Sequence, residues 1–292
     1  MSTNRELFFK TKNDDAKRSK SVHLNDAEIH ALLINANKYK DYTELVTHFD
    51  SNIENYELFK RNLNRIYNGE PLQYVIGKTT FVGLDIYLDH NVLIPRPETE
   101  GLAILIKEYI QKYKLNHDTF ADVCTGSGCI ALYLKSQFKD STVYASDKYE
   151  DPLLVAKHNK DALGLDIKIL KGSRLQPFEE RNIKLDVLVS NPPYVENIED
   201  IDENVKRYEP LTAIYSVDGL HFYDSYFRHY VDVMNKKFFM AFEINYDQKE
   251  GLTKLIKKYF EIENINYIFK KDIYGKERYL LIFGGYNLEN IE

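Results

Sequence analysis

Leu185-Asp186-Val187-Leu188-Val189-Ser190-Asn191-Pro192-Pro193-Tyr194 decides the fold of this chain. The apolar run predicts a buried strand over Leu185–Ser190. A polar amide, two prolines and an aromatic ring follow at its carboxyl end. In an open α/β sheet ligands bind at that edge. A rigid turn is the plain alternative for Asn191–Tyr194. If it is instead a site, a cofactor pocket should lie upstream.

On either side of this strand, helical and strand patterns alternate. Strands are expected at Phe120–Val123, Ser141–Ser146, Ile167–Leu170, Phe238–Ile244, Ile262–Phe269 and Arg278–Phe283. Helices are expected at Gly101–Tyr113, Gly128–Phe138, Asp151–Leu163, His221–Met234 and Gln248–Tyr259. Gly172–Lys184 reads as irregular. Such alternation implies an α/β fold with a mainly parallel sheet covered on both faces. Thr79–Leu88 has the pattern of a short hairpin. The first 70 residues differ in kind. Met1–Lys20 is charge-rich and is expected to be frayed or disordered. Helical spacing begins at Leu24 and recurs over Asp41–Phe49 and Asn55–Asn68, with Gly69 as a stop. Pro71–Gly77 should break that last helix. The expected organisation is a helical domain over 1–70, a hairpin linker over 71–95 and an α/β domain over 96–292.

Composition narrows the function. The chain has 292 residues, 43% of them hydrophobic, enough for a large core. No apolar run approaches the ~20 residues of a membrane span, and the start lacks the apolar core of a signal peptide. The two cysteines, Cys124 and Cys129, make neither a disulfide framework nor a zinc site. No metal is expected, and a cytoplasmic location fits. A net charge of −6 argues against broad nucleic-acid binding.

The upstream pocket is legible. Asp122-Val123-Cys124-Thr125-Gly126-Ser127-Gly128 runs from a strand into a helix, and its glycines let a ligand approach the backbone. Asp147 closes the next strand, 19 residues beyond Gly128. An acid there can accept from both hydroxyls of a ribose, or it can cap the following helix. The turn fits neither the Gly-x-Gly-x-x-Gly dinucleotide fingerprint nor a P-loop. A ligand with an amino-acid end and a ribose suits it, and S-adenosyl-L-methionine is such a ligand.

With that cofactor, Asn191-Pro192-Pro193-Tyr194 resembles the motif of methyltransferases that act on planar nitrogens. An amide nitrogen is a weak nucleophile because its lone pair is delocalised. The Asn191 side-chain oxygen and the Pro192 carbonyl can accept its two N–H groups. Proline holds those acceptors in place, and Tyr194 can pack on the amide plane. Asp186, at the strand's start, is not nominated.

The wider sequence resembles the HemK/PrmC family, the peptide chain release factor N5-glutamine methyltransferases. The likeness runs through Gly69–Tyr74, Leu93–Glu100, the Gly-rich turn, Asn191–Tyr194, Arg207–Ala213 and Asp272–Arg278. It implies a seven-stranded Rossmann-like class I methyltransferase domain behind a helical N-terminal domain and a hairpin linker. The implied substrate is the glutamine of the Gly-Gly-Gln loop of class 1 release factors. Carried over by position, the cofactor contacts are Asp122, Cys124, Thr125, Gly126, Ser127, Gly128, Asp147, Arg174 and Asn191. The substrate contacts are Asn191, Pro192, Pro193 and Tyr194, with Asn191, Pro192 and Tyr194 catalytic. Pro95–Glu100 either borders the pocket or is simply a capped helix start. A monomer without membrane or direct nucleic-acid contacts is expected.

Two departures stand out. Cys124 replaces the first glycine of the family's Asp-x-Gly-x-Gly-x-Gly pattern. Ser173-Arg174 stands where an acid and an aromatic usually follow the third strand, so a guanidinium replaces the stacking ring. Weaker or altered cofactor binding is the expectation. The rival functions are glutamine methylation of a ribosomal protein, amino-methylation of a flipped base, and a non-catalytic binding protein on the same scaffold.

Overall fold

The computed structural model describes residues 2–19, 22–261 and 265–288. The chain divides into two compact units, Met1–Lys78 and Thr79–Glu292.

The first unit contains α1 (Asn4–Ala16), α2 (Asp26–Asn37), α3 (Tyr42–Thr47), α4 (Tyr56–Tyr67) and α5 (Leu72–Ile76). Its core holds Leu7, Phe8, Ile29, Leu32, Leu45 and Phe59. One expectation is corrected and another refined here. The charged start is not frayed: α1 is closed by a capping box in which Thr3 Oγ1 accepts from Glu6 N and Glu6 accepts from Thr3 N. Leu7 and Phe8 anchor it in the core, and the buried Asn4 accepts from Asn37 Nδ2 at 2.9 Å. The dense charges around these residues conceal a short apolar stripe. The helix α4 does end before Pro71–Gly77, as expected, but helix resumes directly after Pro71. Pro71 stands as the N-cap residue of the single turn α5, where its lack of an N–H costs nothing.

The hairpin β1 (Lys78–Phe81) and β2 (Leu84–Tyr87) begins at the boundary residue Lys78 and otherwise belongs to the second unit. Val82 and Gly83 both take positive φ, +43° and +82°, as a two-residue hairpin turn requires. Then come α6 (Pro97–Tyr113), β3 (Thr119–Val123), α7 (Cys129–Gln137), β4 (Thr142–Asp147), α8 (Glu150–Leu163), β5 (Lys168–Lys171), α9 (Gln176–Glu179) and β6 (Leu185–Ser190). The chain continues through α10 (Glu203–Tyr208), α11 (His221–Val233), β7 (Met234–Glu243), α12 (Lys249–Tyr259), β8 (Ile265–Lys271) and β9 (Glu277–Gly284). Ile262–Asn264, the expected start of β8, lie outside the described residues. Gly172–Lys184 contains the short α9 rather than irregular chain throughout, and α6 starts at Pro97, four residues before Gly101.

The sheet has seven strands in the order β5-β4-β3-β6-β7-β9-β8. The β3, β4, β5, β6 and β7 pairings are parallel, and β9 joins β7 and β8 antiparallel. Every residue of β6 is buried, as its unbroken apolar run implies. Helices α7 and α8 pack on β4, and α11 packs on β7 and on α12. Ser146, Val123, Ser190 and Phe242 are successive partners across β4, β3, β6 and β7. The residues that leave this row are Asp147, Cys124, Asn191 and Glu243.

Candidate active site

The β3–α7 turn is built around Asp122, which is fully buried. Its Oδ2 accepts from Thr125 Oγ1 at 2.6 Å and from Ala131 N at 3.2 Å, while Oδ1 has no partner. Burial, with the nearby Asp147 charge adding to it, raises its pKa from 3.8 to about 7. Asp122 therefore braces the turn from beneath. Three residues of the turn take positive φ: Cys124 at +62°, Gly126 at +53° and Gly128 at +81°. The two glycines do different things. A Cβ on Gly126 would meet nothing within 4 Å, so that position opens onto space. A Cβ on Gly128 would lie 3.1 Å from Ala156 Cβ, so that glycine lets α7 and α8 pack closely. Cys124 holds the left-handed conformation with a side chain, which L-residues adopt only at a cost. Burial pushes the Cys124 and Cys129 thiols up to about 12, so neither is a thiolate at neutral pH.

Asp147 closes β4 beside this turn. Its Oδ2 accepts from Gly126 N at 3.2 Å and its Oδ1 from Tyr149 N at 3.1 Å. Asp147 is not the cap expected for the next helix: the N-cap residue of α8 is Tyr149, and that helix start has no side-chain cap hydrogen bond. Burial raises the Asp147 pKa.

A cavity of about 360 Å³ lies above these residues. Cys124, Thr125, Gly126, Ser127, Asp147 and Arg174 line it, as do Asn191 and Pro193. Asp122 and Gly128 are not among its lining residues. Arg174, at φ +52°, extends over Phe222 of α11, 5.5 Å from the ring centroid, and also bonds His221. Phe222 itself lines the cavity. The cavity thus has an aromatic ring in its wall, from α11, at a position that no local motif marks.

Pro192 and Tyr194 line a second, smaller cavity of about 110 Å³, together with Arg96 and Glu243. Asn191 lies in the wall of both cavities. Asn191 Nδ2 donates to Thr99 Oγ1 at 3.1 Å, and Thr99 Oγ1 donates to Glu243 Oε2 at 2.7 Å. The Tyr194 hydroxyl donates to Glu243 Oε1 at 3.1 Å. Glu243 is 2% exposed at the end of β7, and burial raises its pKa. Burial and that carboxylate together push the Tyr194 hydroxyl upward. Ser190 Oγ ties β6 to β3 through Val123 O at 2.6 Å. Arg96 meets Glu209 at 2.5 Å, and Glu209 also accepts from Ile94 N at 3.2 Å. These bonds join the Leu93–Glu100 and Arg207–Ala213 segments. Pro95 and Thr99 line the larger cavity, so Pro95–Glu100 both starts α6 and borders the site. Asp186 accepts from Thr119 N and Asn235 Nδ2 at the far end of β6 and is structural.

A Gly-rich turn, an acid ending the next strand and Asn-Pro-Pro-Tyr ending a neighbouring one, all on one sheet edge, define a Rossmann-like methyltransferase. Residues 99–208 match the methyltransferase small domain family. The ribosomal protein L11 methylase of Lactobacillus delbrueckii subsp. bulgaricus shares the fold at 20% identity and TM-score 0.50, covering 69% of this chain and 86% of that one. So does the hMettl16 catalytic domain solved with MAT2A 3′UTR hairpin 1, at 17% identity and TM-score 0.56, covering 88% and 92%.

Sequence relatives are more specific. The release factor glutamine methyltransferase of Bacillus cereus is 37% identical over 227 residues, 75% of this chain and 78% of that protein. That of Flavobacterium psychrophilum is 35% identical over 247 residues, 82% and 85%. The chain belongs to the release factor glutamine methyltransferase family. No helix among the described residues is long and apolar enough to cross a membrane.

Proposed function

We propose that the protein methylates N5 of the glutamine in the Gly-Gly-Gln loop of class 1 peptide chain release factors, in the cytoplasm, with S-adenosyl-L-methionine as donor. The carrying observation is Asn191, which lies in the wall of both a large and a small cavity. The larger cavity fits the cofactor by its chemistry. Each Asp147 oxygen takes one backbone N–H and keeps a lone pair for a ribose hydroxyl. The open face of Gly126 admits a ligand against the backbone, and Phe222 offers a ring to a base. When bound, the cofactor supplies an electrophilic methyl group on a sulfonium. The smaller cavity suits one side chain better than a base with its sugar, and the net charge of −6 disfavours a polyanionic substrate.

In this reading the glutamine amide enters the smaller cavity and lies against Tyr194. Asn191 Oδ1 and the Pro192 carbonyl accept its two N–H groups. They hold the nitrogen toward the larger cavity and stabilise the positive charge that develops on it. The surplus proton leaves to solvent after transfer. The helical N-terminal unit is proposed to recognise the body of the release factor. The test is incubation with labelled S-adenosylmethionine and purified release factor, with and without the loop glutamine. Label that persists after that glutamine is replaced would sink the proposal.

A further inference from the structure

We propose that Glu243 is a positioning residue that sets which end of the Asn191 amide faces the substrate, acting through the Thr99 hydroxyl. The inference rests on the methyl-transfer function proposed above. A hydroxyl has one proton to give. Thr99 gives its proton to Glu243 Oε2 at 2.7 Å, so its oxygen can meet Asn191 only as an acceptor. It takes Asn191 Nδ2 at 3.1 Å. That contact leaves Oδ1, which has no donor among the described residues, to serve the substrate. The opposite orientation would set two lone-pair oxygens against each other and present N–H groups to an amide that needs acceptors.

An ionised carboxylate holds this polarity without choice, because it accepts on both oxygens and donates nothing, whereas a neutral amide or acid can also turn a donor toward Thr99. Its second oxygen accepts from the Tyr194 hydroxyl at 3.1 Å, so the orienting asparagine and the packing ring share one anchor. The anchor is itself clamped. Tyr223 donates to the Glu243 carbonyl at 2.6 Å, and Arg278 donates to the Ile244 carbonyl at 3.1 Å and to Asp272 at 3.2 Å. Glu243 and Thr99 lie 144 positions apart and meet only in the fold.

The test inverts the polarity of the relay. In N191D, the new carboxylate needs the Thr99 proton, which Glu243 already holds. E243Q lets an amide N–H face Thr99, and a carboxylate at position 191 favours that orientation because it takes the Thr99 proton so released. E243Q alone should lower kcat for release-factor methylation by about tenfold or more, yet N191D/E243Q should exceed N191D by about tenfold. Losses that simply multiply would overturn the proposal. T99S keeps the relay and T99V breaks it, so T99S should stay near wild type while T99V loses about tenfold in kcat at unchanged KM. Equal activity of T99S and T99V would also overturn it. Calorimetric binding of S-adenosylhomocysteine serves as a second readout and should change less than about threefold in E243Q. Loss of that binding would mean that Glu243 shapes the cofactor cavity instead, and would overturn the inference. Wild-type protein run alongside separates the two ideas. If it fails to methylate release factor, the proposed function falls, and this inference with it.

Discussion

Replacing Asp122 by Asn should remove a pH-dependent weakness at the centre of the large unit. Asp122 is fully buried, both of its hydrogen bonds land on Oδ2, and Oδ1 is unpartnered. Burial lifts its pKa from 3.8 to about 7. An acid with a folded pKa above its unfolded one binds more protons when folded in the interval between them. Its stabilising contribution is therefore complete below the unfolded value and is lost as pH rises through about 7. That displacement corresponds to about 4 kcal/mol once the charge is fully developed, and local relaxation lowers it to ~2–4 kcal/mol. An asparagine with its carbonyl oxygen at the Oδ2 position keeps both bonds and carries no charge. Its NH₂ sits unpaired where Oδ1 was, which costs ~1–3 kcal/mol at every pH. The diagnostic quantity is therefore the slope. Between about pH 4.5 and about pH 8.5, wild type should lose ~2–4 kcal/mol relative to D122N. Urea denaturation followed by circular dichroism measures this, with one transition fitted for each compact unit. A wild-type-minus-variant difference that stays constant across that range would refute the argument.

Asn191→Ala should reduce methyl transfer by at least ~10²-fold while the denaturation midpoint is kept, because one of two preorganised acceptors is gone. Gly128→Ala should destabilise the large unit by ~1–3 kcal/mol, since φ is +81° and the new Cβ would lie 3.1 Å from Ala156 Cβ; urea denaturation reads it. Cys124→Gly should be more stable than Cys124→Ala by about 1 kcal/mol in the same assay, because only glycine relieves the left-handed backbone at φ +62°. Finally, kcat should fall as pH drops through the Glu243 pKa. Burial raises that pKa above the ordinary 4.5, with Glu98 adding to the rise and Thr99, Tyr194 and Arg278 opposing it. Protonation lets Glu243 donate and frees the Thr99 proton to turn on Asn191, so a kcat–pH profile of E243Q should lack this acidic limb.

The parts of the fold that were legible in sequence are those where local pattern and tertiary burial agree. The expected bounds of β6, Leu185–Ser190, match because every residue there faces the core and the run is unbroken. α1 was hidden because only Leu7 and Phe8 among its large apolar residues are buried, and charges surround them. The Thr3–Glu6 capping box was nonetheless a readable start signal. In the site, Asn191–Tyr194 and Cys124–Ser127 were legible because each lies within one short stretch. Asp122 and Gly128 were placed correctly in the turn, but they act beneath it, and spacing alone does not separate bracing from contact. Phe222 and Glu243 were missed because nothing local distinguishes an aromatic on a helix, or an acid ending a strand, from hundreds of structural ones.

What joins these scattered residues is register. Ser146, Val123, Ser190 and Phe242 stand side by side across four parallel strands, so the next residue of each strand emerges at the same height. Those residues are Asp147 beside the Gly-rich turn, Cys124 within it, Asn191 in the wall of both cavities and Glu243 joined to Asn191 through Thr99. The side-chain period of a strand is two, so a slip of one residue in β7 would turn Glu243 to the opposite face of the sheet. Thr99 and Tyr194 would then lose their shared acceptor. The register of β7 against β6 and β9 therefore does more than fill the core, because it holds the Glu243 carboxylate within 2.7 Å of the hydroxyl that orients Asn191.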